Sequence, residues 1–276
     1  MPEGDTVFRA ARTLNRALAG QTITKFETVF PKLARVDFDE RICGRTVNRV
    51  EAKGKWTLMH FSGDRILLTH MLMSGSWHIY RPGEKWRLPR SAMRVMIASE
   101  AMVAVAFSIQ IAEFHTQESL RRRAGFASLG PLLLAHGFDV NEGAQRLLLH
   151  RNLEVGEALL KQSVVAGIGN VFKSEICHAC GVHPFRKVES LTTREATNLM
   201  SVAGEFLRAN VTEASGNQIV TYTGLRRTTS RNNPQQRLWV YKRRGEPCRR
   251  CGTPIESRKQ GLDARTTFWC PRCQTG

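Results

Sequence analysis

The sequence of 276 residues predicts an α+β protein: an amino-terminal helix plus an antiparallel β-sandwich, then a helical region and a small four-cysteine unit. Three observations carry this. Helical periodicity opens the chain. Short apolar runs alternating with turn residues fill 22–115, and helical period returns from Leu132 onward. Four of the seven cysteines then cluster at the carboxyl end, after Pro247.

Residues 6–19 form the first element. Val7, Phe8, Ala11, Leu14 and Leu18 share one helical face, and Gly20 follows as a stop. The strand candidates come next, in order ITKFETVF, LARVDF, RTVNRVEA, KWTLMHF, RILLTHML, SWHIY, MRVMIAS and AMVAVAF. Residues 119–131 (SLRRRAGFASLGP) are basic and rich in turn formers, so a linker is expected there. Beyond it, 139–150, 154–166, 170–180 and 191–209 have the period and length of helices. The turn VAGIGN (165–170) lies between the second and third. A Gly-x-Gly turn leading into a helix N-terminus gathers backbone N–H groups that suit an anion. Residues 217–236 are polar and basic and read as a mobile loop.

Composition narrows the partner. Apolar content of 42% and charged content of 24% are ordinary globular values. No run of 18 apolar residues appears, so no membrane-spanning helix is expected. The start MPEGDTVFRAARTL lacks a basic stretch followed by an apolar one, and the cytoplasm is the expected compartment. Lys and Arg outnumber Asp and Glu by 41 to 24, a net charge of +17, which favours a polyanion. No amphipathic Lys-rich helix with an aromatic face points to a membrane surface.

Cys248-x2-Cys251 and Cys270-x2-Cys273 have the spacing of a four-thiolate zinc site. Four protein ligands leave no open position, so one structural Zn²⁺ is expected. The unit carries Arg249, Arg250, Arg258, Lys259, Arg265 and Arg272. Cys177 and Cys180 lie one turn apart within a helix and read as two small buried residues.

Taken with the start Pro2-Glu3-Gly4, the segment LLKQSVVAGIGNVFKSEI (159–176), the stretch VYKRRGEPC (240–248), Arg265-Thr266-Thr267-Phe268 and the ending CPRCQ, the chain resembles the Fpg/Nei family of DNA glycosylases. The likeness spans both ends and the middle, in the family's order. It implies residues 1–118 as a catalytic sandwich domain, 119–131 as a linker, 132–236 as a helix–two-turn–helix domain and 237–276 as a zinc finger. It implies a monomer acting on damaged, duplex DNA, excising an oxidised base and cutting the strand by β,δ-elimination. The start PEG is similar to the endonuclease VIII branch, which prefers oxidised pyrimidines. FSIQIAEF (107–114), without the arginine of the Fpg branch, agrees with this. Thr6 departs from the branch, which often has Glu there.

The resemblance also implies roles. Once Met1 is removed, Pro2 presents a secondary amine. An α-amino group titrates near about 8, so part of it is neutral at pH 7. Attack on C1′ gives an iminium that acts as an electron sink. Glu3 protonates the sugar ring oxygen. Lys55 binds phosphate beside the lesion and aids elimination; Lys53 competes for that assignment. Gly169 and Asn170 hold a backbone phosphate, and Arg265 a second one, where its planar fork suits phosphate oxygens. Met73, on the Met71-Leu72-Met73 turn, fills the gap left by a flipped base, with burial in the core as the competing reading. His70 reads as structural. Two other classes stay open on the residues alone. One is a DNA-binding protein without catalysis. The other is a zinc-ribbon RNA-binding factor, which would need exposed stacking aromatics.

Overall fold

A computed structural model describes residues 2–212, 228 and 237–275. The loop read at 217–236 therefore lies outside the described residues, apart from Thr228, and so does Met1. The described residues divide into two compact units, one up to Ala127 and one from Ser128 onward.

The first unit opens with α1 (Gly4–Leu18), which begins two residues before its expected start. Val7, Ala10, Ala11, Leu14 and Leu18 are its buried apolar stripe, three to four residues apart. The strands are β1 (Lys25–Thr28), β2 (Val47–Lys53), β3 (Trp56–Phe61), β4 (Arg65–His70), β5 (Ser76–Tyr80), β6 (Met93–Ala98), β7 (Val103–Phe107) and β8 (Ile111–His115). They form two four-stranded antiparallel sheets, in the orders β1-β6-β7-β5 and β2-β3-β4-β8. One core draws on both sheets and on α1: Leu14, Phe26, Val50, Met59, Leu67, Trp77 and Val95 all belong to it. The expected mixed helical and antiparallel fold is thus present.

Three elements differ from expectation. LARVDF is not a strand but the middle of helix α2 (Pro31–Glu40). Its apolar residues alternate, which mimics a strand. Pro31, however, stands at the helix start, where a missing N–H costs nothing. Only Leu33 is buried there, while Phe38 is 86% exposed, so no sheet face is served. Strand β8 has no counterpart among the expected strands. It lies at a sheet edge with Glu113 and His115 partly exposed, so its pattern is weakly apolar. Residues 117–122, within and just before the basic stretch read as a linker, form the short helix α3 (Gln117–Arg122), capped by Thr116.

The second unit contains α4 (Val140–Leu148), α5 (Val155–Leu160), α6 (Asn170–Ala179), α7 (Thr193–Thr212) and a hairpin of β9 (Glu256–Gln260) and β10 (Arg265–Trp269). Helix α5 ends six residues before its expected limit of 166, and turns lead from it into α6. Every residue of α6 from Asn170 to His178 is buried, which makes it the central rod of this unit. The hairpin region has a core of only Val240, Cys248, Ile255, Phe268 and Cys270, too little to hold a fold unaided. Among the described residues, no helix is long and apolar enough to cross a membrane.

Candidate active site and nucleic-acid interface

In the first unit, Pro2 is buried and Glu3 is 0% exposed, immediately before α1. The Glu3 carbonyl accepts from Val7 N at 3.0 Å, which seats the residue as the helix N-cap. The helix N-terminus favours negative charge there. Asp5 is also fully buried. It accepts from Thr6 Oγ1 at 3.3 Å and from Arg9 at 3.4 Å. A buried carboxylate therefore stands one residue before Thr6, which sequence reasoning passed over.

Lys55 sits at the tip of a two-residue hairpin loop. Lys53 pairs with Trp56 across it, and Gly54 takes φ 60°, a left-handed conformation suited to glycine at this turn position. The competing Lys53 lies over the Phe126 ring at 5.9 Å. Lys55 stands close enough to His70 to act on it. The His70 imidazole is lowered to about 4, first by burial, then by the Lys55 and Arg123 charges. Its Nδ1 accepts from Leu72 N at 3.0 Å, which places the proton of the neutral ring on Nε2. The ring also meets Trp56 edge-on at 4.6 Å, and the Arg123 guanidinium covers Trp56 at 4.2 Å. Arg123 is in turn held by Glu113. A neutral histidine with this many structural contacts braces the loop that it opens.

That loop carries Met71, Leu72 and Met73. Met71 is 1% exposed, whereas Met73 is 61% exposed. Leu72 has φ 48°, an unfavourable conformation for a branched residue. The turn closes through Gly75 N to Met71 O at 2.8 Å. A Cβ on Gly75 would stand 2.5 Å from that same oxygen, so the closure requires glycine.

In the second unit, Gly169 is the N-cap of α6 and Asn170 its first residue. The turn before them is braced by Gln162. Its Nε2 donates to Leu160 O at 2.9 Å and to Ile168 O at 3.0 Å, and its Oε1 accepts from Gly167 N at 3.1 Å. Gly167 has φ 124°, which disfavours a side chain. Asn170 Nδ2 donates to Thr266 O at 2.8 Å, while Asn170 Oδ1 is buried without a hydrogen-bond partner. Arg265, 40% exposed at its side chain, opens β10 beside Asp263 at 3.8 Å. The structure therefore brings Gly169, Asn170 and the Arg265 strand together.

The four cysteine sulfurs, Cys248, Cys251, Cys270 and Cys273, lie within 4.8 Å of one another. Cys251 to Cys270 is 3.5 Å and Cys248 to Cys273 is 3.9 Å. A tetrahedral Zn–S₄ centre needs sulfurs about 3.8 Å apart, so the donor set fits zinc. His178 Nε2 stands 3.6 Å from Cys248 Sγ, and its ring stacks on Trp239. Arg250 donates to the carbonyls of His178 and Ala179 at the end of α6. Glu175, fully buried in the same helix, accepts from the backbone N–H groups of Trp239, Val240 and Tyr241 at 2.7–2.9 Å and from the Thr228 hydroxyl. Burial pushes its pKa up, against the pull of these donors. Burial pushes the Cys177 and Cys180 thiols up to about 12; Cys177 is buried within α6 as expected, whereas Cys180 caps the helix end and is half-buried.

Glu175, Gln162 and Asp5 escaped sequence reasoning because single polar residues in apolar or charged segments carry no spacing that marks them.

Comparison with known proteins agrees with this architecture. Residues 1–110 match the formamidopyrimidine-DNA glycosylase N-terminal domain, 129–221 the formamidopyrimidine-DNA glycosylase H2TH domain, and 245–276 the zinc finger found in FPG and IleRS. The chain is 37% identical to a probable endonuclease 8 2 of Streptomyces coelicolor, covering 100% of this chain and 95% of that protein. It is 33% identical to the DNA-(apurinic or apyrimidinic site) lyase Nei2 of Mycolicibacterium smegmatis, covering 100% and 99%. In fold, it matches the Lactococcus lactis formamidopyrimidine-DNA glycosylase bound to DNA containing an abasic site, with a TM-score of 0.82 at 22% identity, over 99% of this chain and 100% of that one.

Proposed function

Because the chain belongs to the Fpg/Nei family of DNA glycosylases, it is a glycosylase and abasic-site lyase of DNA repair, and we propose that Pro2 is its nucleophile. The observation that carries this reading is Glu3, a carboxylate wholly withdrawn from water and adjacent to Pro2. With a deoxyribose against it, the acid serves as a proton donor to the ring oxygen.

The steps follow from the chemistry of a secondary amine. The Pro2 nitrogen attacks C1′, the damaged base leaves with the bonding electron pair, and ring opening under Glu3 gives an iminium. Loss of the 2′ proton expels the 3′ phosphate, and a second elimination expels the 5′ phosphate. Lys55, on its hairpin tip, offers an ammonium to phosphate. Asn170 and Arg265 offer N–H donors to two further phosphates. Zinc, when bound, supplies no reaction step; Cys248, Cys251, Cys270 and Cys273 hold it, and it fixes the hairpin carrying Arg265. Met73, exposed on a braced loop, suits insertion into a duplex from which a base has been flipped. The substrate that best fits is an oxidised pyrimidine in duplex DNA, attacked by a monomer in a bacterial-type cytoplasm. The PEG start and the absence of arginine in 107–114 favour the pyrimidine.

Borohydride tests the nucleophile. Protein lacking Met1 is mixed with duplex DNA holding an abasic site or an oxidised thymine, then reduced. A covalent band is expected, and Pro2→Gly should abolish it. DNA binding without any covalent band would leave a non-catalytic DNA-binding protein as the correct reading.

A further inference from the structure

The second unit contains a buried polar chain that the reaction does not use. Lys173, 0% exposed in the middle of α6, donates from Nζ to Thr267 Oγ1 at 2.6 Å. Thr267 Oγ1, also 0% exposed, donates to Gln260 Oε1 at 2.7 Å. Gln260 Nε2 donates to Pro184 O at 2.8 Å and to Glu154 Oε2 at 2.9 Å. The donors all point one way, from an ammonium to a carboxylate, so each bond polarises the next. Gly156 makes room for the amide: a Cβ there would stand 2.4 Å from Gln260 Oε1.

Burying an ammonium is more costly than burying a methionine of similar length, even when the ammonium is paired. Stability alone is therefore a poor account of Lys173. Its position suggests another. Gln260 is the register partner of Arg265 across the hairpin, and Thr267 lies two residues beyond Arg265. Thr266, between them, is held through its carbonyl by Asn170. Asn170 and Lys173 are one turn apart in α6, so one helix face grips two successive residues of the strand that Arg265 opens.

We propose that Lys173 is a positioning residue that sets the hairpin's register on α6, so that Asn170 and Arg265 bind phosphates as one preformed clamp. This rests on the reading of Asn170 and Arg265 as phosphate ligands. Cation, hydroxyl and amide fix the strand in position as well as in depth, whereas apolar packing would permit sliding.

The test uses zinc-loaded full-length protein and a duplex with one tetrahydrofuran abasic analogue, with Kd measured across a salt series. Lys173→Met is expected to weaken binding about tenfold and to reduce the salt slope by about one, as Arg265→Ala should. The double variant should lose no more than the larger single loss, and Lys173→Arg should recover most of the slope. Zinc content and the borohydride cross-link should persist in Lys173→Met. If that variant fails to fold or to retain zinc, Thr267→Val removes the central hydroxyl at constant volume and should give the same pattern. A wild-type slope in Lys173→Met or Thr267→Val, or additive losses in the double variant, would overturn the proposal while leaving the clamp intact. A wild-type slope in Arg265→Ala would overturn the phosphate reading itself, and the proposal with it.

Discussion

The Asn170 amide donates to the Thr266 carbonyl at 2.8 Å, tying the first residue of α6 to the strand that begins at Arg265. Its own carbonyl oxygen is buried without a partner, so the residue is held from one side only. Replacing it with Asp removes the donor and adds a negative charge where an anion is to bind; replacing it with Ala only removes the donor. Asn170→Asp should therefore weaken binding to abasic-site duplex well beyond Asn170→Ala, which should cost about 1–3 kcal/mol. Fluorescence anisotropy at fixed salt measures both. Equal losses would mean that the amide does not face phosphate.

Zinc removal should disorganise the hairpin before the rest of the chain. Its apolar core is minimal, and zinc–thiolate binding supplies roughly 10 kcal/mol or more in small metal modules. Chelation should abolish DNA binding and change Trp239 fluorescence, because His178 lies between Trp239 and Cys248. Near-native emission in a zinc-free sample would show that the hairpin stands without metal.

Met71 and Met73 should separate stability from function. Met71→Ala empties a core position and should cost about 2–5 kcal/mol in denaturant unfolding. Met73→Ala should shift stability by no more than about 0.5 kcal/mol. It should instead lower kcat/KM on a lesion in duplex DNA and leave the same lesion in a single strand largely unaffected. A duplex activity equal to wild type would remove Met73 from the role of wedge.

His70 should make the fold sensitive to acid. Its folded pKa is about 4, below the ordinary 6.5, so the unfolded chain takes up the proton first as pH falls. The stability that neutral His70 contributes is fully present above about 6.5 and is lost progressively between there and about 4. His70→Asn keeps an acceptor for Leu72 N but cannot titrate. Urea midpoints at pH 7.5 and 5.5 should therefore fall less for His70→Asn than for wild type. An identical fall in both would show that His70 does not carry the dependence.

Much of the chemistry was legible because it depends on residue types at short spacing. Two Cys-x2-Cys pairs specify thiolate ligands whatever surrounds them, and their sulfurs do converge. The helical stripe of α1 was readable because burial on one face imposes a period, whereas strands such as β3 and β5, buried at every position, were readable as short apolar runs between turn residues. The misreading of 33–38 shows the limit. Ala34, Val36 and Phe38 alternate as a strand would, and only Pro31 at the helix start and the single buried Leu33 reveal the helix. Strand β8 was missed for the opposite reason: an edge position lets Glu113 and His115 remain half in water and erases the pattern.

By itself, the sequence determined the fold class, the zinc ligands, a Pro2–Glu3 start and a glycine turn before α6, because each is local and limited to few residue types. Tertiary structure alone decided that Glu3 and Asp5 are sealed from water, that Met71 is core while Met73 is exposed, and that Lys173 reaches Thr267 through 94 residues of chain. A lone lysine, glutamate or glutamine has no period and no spacing. Its role depends on what the fold places within hydrogen-bond distance, and burial turns that placement from a weak surface contact into a constraint.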